Sequence, residues 1–149
     1  MHSFIGDPIV VVVHLAVPPD KVWLALTSPD EIKRWYFDLP GFTAATGYQF
    51  SFEGGSDPAH PYIHRCEIVD VSPQSVLSYT WRYEGYPGET LVTFKLKPEN
   101  SGTVVTLTHE GLASLPASNP DFARSNFEAG WNSIVGTSLP KYFGVAVAD

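Results

Sequence analysis

Hydrophobic positions along this chain recur with two periods, and the order in which those periods change predicts an architecture. Residues 9–17, IVVVVHLAV, are almost wholly apolar and rich in β-branched side chains. They predict a strand, and apolar residues at both parities predict one covered on both faces or packed at an inner edge. Alternation takes over from residue 47. In GYQFSFEGG, Tyr48, Phe50 and Phe52 oppose Gln49, Ser51 and Glu53. YIHRCEIVDV follows, and then VLSYTWRYE, where Leu77, Tyr79, Trp81 and Tyr83 oppose Ser78, Thr80, Arg82 and Glu84. In TLVTFKLK, Val92, Phe94 and Leu96 oppose Thr93, Lys95 and Lys97; in TVVTLTHE, Val105, Leu107 and His109 oppose Val104, Thr106 and Thr108. Each such strand has one greasy and one wet face. Residues 72–75 and 98–102 have turn composition, so the five strands should form an antiparallel meander.

Period 3.6 appears at two places. VPPDKVWLALTSPDEIKRWY carries Val22, Trp23, Ala25 and Leu26 at helical spacing and then breaks. Ser28 precedes a proline, which pushes it out of the helical region and ends the first helix. Ser28-Pro29-Asp30-Glu31 also reads as a capping box, with Ser28 capping a second helix and Glu31 reaching back to the Ser28 N–H. That helix should run to Trp35 or Tyr36. Near the C-terminus, Asn119 is placed to cap, Pro120 and Asp121 to begin a helix, and Phe127, Trp131, Ile134 and Val135 to form its apolar stripe. Pro140 predicts a kink or an end near Leu139. The order is strand, two short helices, five strands, long helix. Aromatic strand faces need a cover, and the terminal helix is the long amphipathic element that remains. A bent sheet around one helix leaves a hollow, and a broken helix pair can close one end of it as a lid. The expectation is an α+β fold in one domain over residues 1–149.

Composition narrows the partners. The chain has 149 residues, a net charge of −7, a pI near 5.1, 44% hydrophobic residues and 13% aromatics. An acidic chain does not suit nucleic acid or an anionic membrane surface. Cys66 is the single cysteine, which rules out an internal disulfide. The N-terminal apolar run has no Lys or Arg before it, is broken by His14 and is short for a span. A soluble, cytoplasmic protein is expected.

Candidate chemistry is sparse. His60 and His64 flank Pro61 in an extended segment, where they would lie roughly 13 Å apart, too far for one ion. His64 and Cys66 share a strand face but are two ligands at most, and Cys66 as a nucleophile would have only His64 as a nearby base. No metal and no cofactor are expected. Arg65 reads as a solvated cation, or as a partner for Glu67 or a ligand carboxylate. The chain has no Gly-rich phosphate loop, no Gly-x-Ser-x-Gly elbow and no Cys-x-x-Cys. What remains is an aromatic set, Phe50, Phe52, Trp81, Tyr83 and Trp131, which reads as core or as a pocket wall. Trp35 and Tyr36 would flank its mouth or anchor the helix pair. His109, inward on the last strand, would either orient a ligand or satisfy a neighbouring loop.

Four motifs carry a resemblance: VPPDKVWLALTSPDEIKRWY, EIVDVSPQSVLSYTW, TVVTLTHEGL and FEAGWNSIVGTSLPKYF with its Gly-Trp pair. Together they resemble the helix-grip fold of the START-like (SRPBCC) superfamily, and within it the AHSA1-like group named for activators of Hsp90 ATPase. The resemblance implies a curved sheet of about six strands around a long C-terminal helix, and a cavity between them. His109 matches the group's strand-ending histidine. The implied function is binding of a small apolar or amphipathic molecule, with Trp35, Phe50, Phe52, His64, Trp81, Tyr83, His109, Phe127 and Trp131 as the candidate site. A co-chaperone role with an Hsp90-type partner ranks second, since the chain lacks the additional N-terminal domain of the eukaryotic activators. A cyclase- or hydrolase-like enzyme ranks third, and would need at least two polar groups converging in the cavity, for instance His109 with Tyr83 or His64. A monomer or weak homodimer is expected.

Overall fold

A computed structural model describes residues 8–55 and 59–144. The six strands are β1 (Ile9–Leu15), β2 (Gln49–Gly54), β3 (Tyr62–Ser72), β4 (Val76–Tyr83), β5 (Thr90–Glu99) and β6 (Gly102–Glu110). They form one antiparallel sheet in the order β1-β6-β5-β4-β3-β2. The register of β3 shifts between Ile68 and Asp70, an irregularity of the kind that increases local bend and twist. Among the described residues no helix is long and apolar enough to cross a membrane.

Alternation places the core on one face. Leu77, Tyr79, Trp81 and Tyr83 of β4 and Val105, Leu107 and His109 of β6 are all buried. The first strand departs from the expectation of two covered faces. Ile9, Val11, Val13 and Leu15 are buried, but Val10 and Val12 are 54% and 51% exposed. The sheet has a helical layer on one side, so the other parity of an apolar run meets water.

Helices α1 (Pro19–Thr27) and α2 (Pro29–Trp35) meet at Ser28, which is extended at φ −84° and ψ 121°. Its N–H donates to the Leu24 carbonyl at 2.8 Å, while its carbonyl accepts from the N–H groups of Glu31 and Ile32. The expected capping box does not form, because the N–H that Glu31 would take already closes α1. Glu31 instead accepts the Tyr142 hydroxyl at 2.8 Å, which ties α2 to the C-terminal helix.

That last helix starts later than expected. Asn119 Oδ1 accepts from the Asp121 N–H at 2.9 Å, but it caps a 3-10 turn at Pro120–Phe122. Helix α3 (Arg124–Ser133) follows, then a π-helical turn at Ile134–Ser138, then α4 (Leu139–Phe143). Pro140 does not end the helix. The Leu139 N–H reaches back five residues to the Ile134 carbonyl, so the N–H that Pro140 lacks falls where the register changes back to four. The helix stops at Gly144, whose φ of 69° is the left-handed C-terminal conformation that glycine accepts most readily.

Candidate functional site

The inner faces of β2, β3 and β4 curve away from α3 and leave a partly open cavity of about 460 Å³. Inward positions set its inner wall: His64 of β3, Trp81 and Tyr83 of β4, and Phe127 and Trp131 of α3, all buried. Phe122, from the 3-10 turn, stacks on Tyr83 with ring centroids 4.6 Å apart. The mouth is made of exposed lining residues, Gly55, Asp121, Asn126 and Ala129. Gly130 leaves its share of the helix face bare, since a Cβ there would meet nothing within 4 Å.

Polar groups in this wall are few. The Trp81 indole N–H donates to Tyr83 Oη at 3.0 Å. His64 Nδ1 lies 3.1 Å from the Tyr62 carbonyl and donates to it, since a carbonyl can only accept. Burial nevertheless dominates and lowers the His64 pKa to about 4, so the ring is neutral near pH 7. Burial also pushes the Tyr83 phenol well up. At the mouth, Tyr62 Oη donates to Asp121 Oδ2 at 2.5 Å and accepts from Asn119 Nδ2 at 3.2 Å. The bond to Asp121 holds the Tyr62 phenol above its usual range.

Five of the nine expected residues therefore line the cavity, and four lie elsewhere. Trp35 is buried under the helix pair, its indole N–H donating to the Ala25 carbonyl at 2.8 Å. Phe50 lies further along the sheet against Phe42 and Tyr79. Phe52 stacks behind Phe37 and His64, at 4.2 and 4.5 Å between centroids. His109 is fully buried behind Trp131 and Trp81. Its ring nitrogens are taken by Trp131 Nε1 at 2.9 Å and Thr90 Oγ1 at 2.7 Å. Burial is the main cause of a His109 pKa near 3, with His64 adding to it. His109 itself does not line the cavity, so it does not converge there with His64 or Tyr83.

Other candidates resolve into structure. Arg65 Nε donates to Glu84 Oε1 at 2.9 Å, in place of Glu67 or an inward ligand. Cys66 is buried, and burial pushes its thiol well up, the opposite of an activated nucleophile. Tyr36 pairs its hydroxyl with that of Tyr79 at 2.7 Å and stacks on Trp131, so it anchors the helix pair. No cluster of three or more His, Cys, Asp or Glu side chains suited to a metal occurs among the described residues.

Sequence reasoning missed Phe37, Tyr62, Phe122, Asn126 and Gly130. Gly130 and Asn126 had a usable signal, being three residues from Phe127 and four from Gly130 along one helix face. Phe37 lies outside the periodic segments, and Phe122 lies in a 3-10 turn where the sequence predicts an α-helix, so helical spacing does not give its direction.

Residues 16–144 match the family described as activator of Hsp90 ATPase homolog 1-like protein. The crystal structure of MLL2253 from Mesorhizobium loti is similar at 28% identity and a TM-score of 0.74, over 93% of this chain and 97% of that one. DynU16, from the dynemicin biosynthetic locus, is similar at 25% identity and a TM-score of 0.74 over 93% of this chain, which spans 48% of DynU16. CalU16 from Micromonospora echinospora shares the fold, at 24% identity and a TM-score of 0.69 over 91% of this chain and 74% of that one. No curated protein matches this chain at a significant level.

Proposed function

The chain belongs to the family of activator of Hsp90 ATPase homolog 1-like proteins, and we propose that within it this protein binds a small apolar or amphipathic molecule between sheet and C-terminal helix. The observation that carries the reading is the aromatic cavity of about 460 Å³. Pockets that bury small ligands span about 300–1,000 Å³ and are mostly apolar with a few placed polar groups. Trp81, Tyr83, Phe127 and Trp131 give contact area, while His64 and Tyr83 give the polar groups. An unfilled apolar hollow in a core costs packing, so a molecule that fills it gains contacts that the protein alone does not make. A similar chain from a biosynthetic locus supports a small-molecule role.

The test fills the cavity from the helix side. Leucine at Gly130 has room for its Cβ, and because Gly130 lines the cavity the larger side chain takes up space that a ligand would need. Calorimetric binding of 2-naphthol by the wild-type protein should be lost in Gly130→Leu, with the far-UV circular dichroism unchanged. Equal affinity in the two proteins would remove the cavity as the site. A chaperone partner, the reading suggested by the family's name, would dock on the outer surface. Capture of Hsp90 by both proteins alike, with no naphthol binding by either, would favour it.

A further inference from the structure

The charge and hydrogen-bond character of the wall narrows the ligand class, on the premise that the cavity binds a small molecule. We propose that the cavity takes an electrically neutral aromatic molecule bearing a hydroxyl or carbonyl oxygen, held at the inner end by the Tyr83 hydroxyl proton, and rejects the corresponding carboxylate. The first support is the Tyr83 oxygen. It accepts from Trp81 Nε1 at 3.0 Å, which uses a lone pair and leaves its own proton to be donated. Among the described residues no acceptor takes that proton, and Tyr83 lines the cavity. A buried donor of this kind favours a ligand oxygen over a bare hydrocarbon surface.

Charge supplies the second support. Among the described residues of the wall, Asp121 is the one with a formal charge, and it stands at the mouth. His64, the one side chain of the described wall that could become a cation, is neutral near pH 7 because burial lowers its pKa. An anion entering would pass a carboxylate and then lose its water with no cation to meet it, which is costly. A neutral phenol or ketone avoids both penalties, and the stacked rings of Tyr83 and Phe122 give it a flat aromatic neighbour.

Three ligands of one skeleton test this at pH 7.5: 2-naphthol, naphthalene and 2-naphthoate, titrated into the wild-type protein by calorimetry or intrinsic tryptophan quenching. We expect 2-naphthol to bind several-fold to tenfold more tightly than naphthalene, and 2-naphthoate to bind at least tenfold more weakly than 2-naphthol. Tyr83→Phe should erase the preference for 2-naphthol over naphthalene, and Asp121→Asn should narrow the gap to 2-naphthoate. The wild-type series reads out even if Tyr83→Phe, which strands the Trp81 indole, folds poorly. Tighter binding of 2-naphthoate, or equal binding of naphthalene and 2-naphthol, lost in Gly130→Leu, would overturn this inference and leave the cavity reading standing. Binding of none of the three would overturn both.

Discussion

Nε2 of His109 lies 2.7 Å from Oγ1 of Thr90, and the direction of that hydrogen bond is forced. The other ring nitrogen, Nδ1, faces the Trp131 indole N–H at 2.9 Å. An indole only donates, so Nδ1 is bare and the proton of the neutral ring sits on Nε2. Nε2–H therefore donates to Thr90, whose own proton goes to the Trp81 carbonyl at 2.8 Å. Helix α3, β6, β5 and β4 are joined by a chain of neutral groups in which each donor has one acceptor. That makes His109 a positioning residue for Trp131, the inner wall of the cavity.

Thr90→Val keeps the shape and removes the hydroxyl from the middle of this chain. Thr90 and His109 are both fully buried, so Nε2–H and the Trp81 carbonyl lose partners where water cannot replace them. We expect a loss of about 2 kcal/mol in urea denaturation at pH 7, within the 1–3 kcal/mol typical of an orphaned buried group. A change below about 0.5 kcal/mol, the level of an ordinary surface substitution, would show that the chain is not as drawn.

The two buried histidines should make the fold acid-sensitive. Their pKa values are lowered in the folded protein, to about 4 for His64 and about 3 for His109, from 6.5. Above pH 6.5 both states hold them neutral and nothing is gained or lost. As pH falls below 6.5 the unfolded chain takes up protons that the folded one refuses, so stability declines until pH passes the folded values. At pH 5 the penalty is about 2 kcal/mol per histidine, from 1.36 kcal/mol per pH unit. In His109→Asn the fall in stability between pH 7 and pH 5 should shrink by about half; an undiminished fall would assign it to other groups.

Gly130→Ala should stabilise. The position is mid-helix in α3 and an added Cβ meets nothing within 4 Å. Replacing glycine by alanine in a helix gains about 1 kcal/mol, seen as a higher denaturation midpoint. Unchanged or lower stability would mean that the helix here depends on glycine for a reason outside propensity.

Gly102→Ala should do the reverse. A Cβ there would lie 2.3 Å from the Leu15 carbonyl oxygen, at the start of β6 where the chain passes close to the end of β1. Backbone must move to admit it, and we expect a loss of about 1–3 kcal/mol by the same denaturation assay. Full stability in Gly102→Ala would refute that close approach.

The sequence carried the fold further than the site for a physical reason. Alternation in β4 and β6 told which side chains face the helix, and the structure agrees. It could not tell which of them stand beside the hollow, because a bent sheet presses some inward residues against cover and leaves others bare. Phe52 and Trp81 both face inward, yet Trp81 reaches the cavity and Phe52 lies under Phe37. The valines of β1 look alike as letters, and only the placement of the helical layer separates Val11 from Val12. Glu31 and Tyr142 are 111 residues apart, a pairing that no local capping rule contains.

Ser28 serves both helices at once, its N–H finishing one and its C=O beginning the next. With Trp35 braced to Ala25 across the bend, α1 and α2 are fastened to each other as one elbow. Neither of these helices lends a residue to the described cavity wall. The chamber opens instead to solvent between the end of β2 and the short turn before α3.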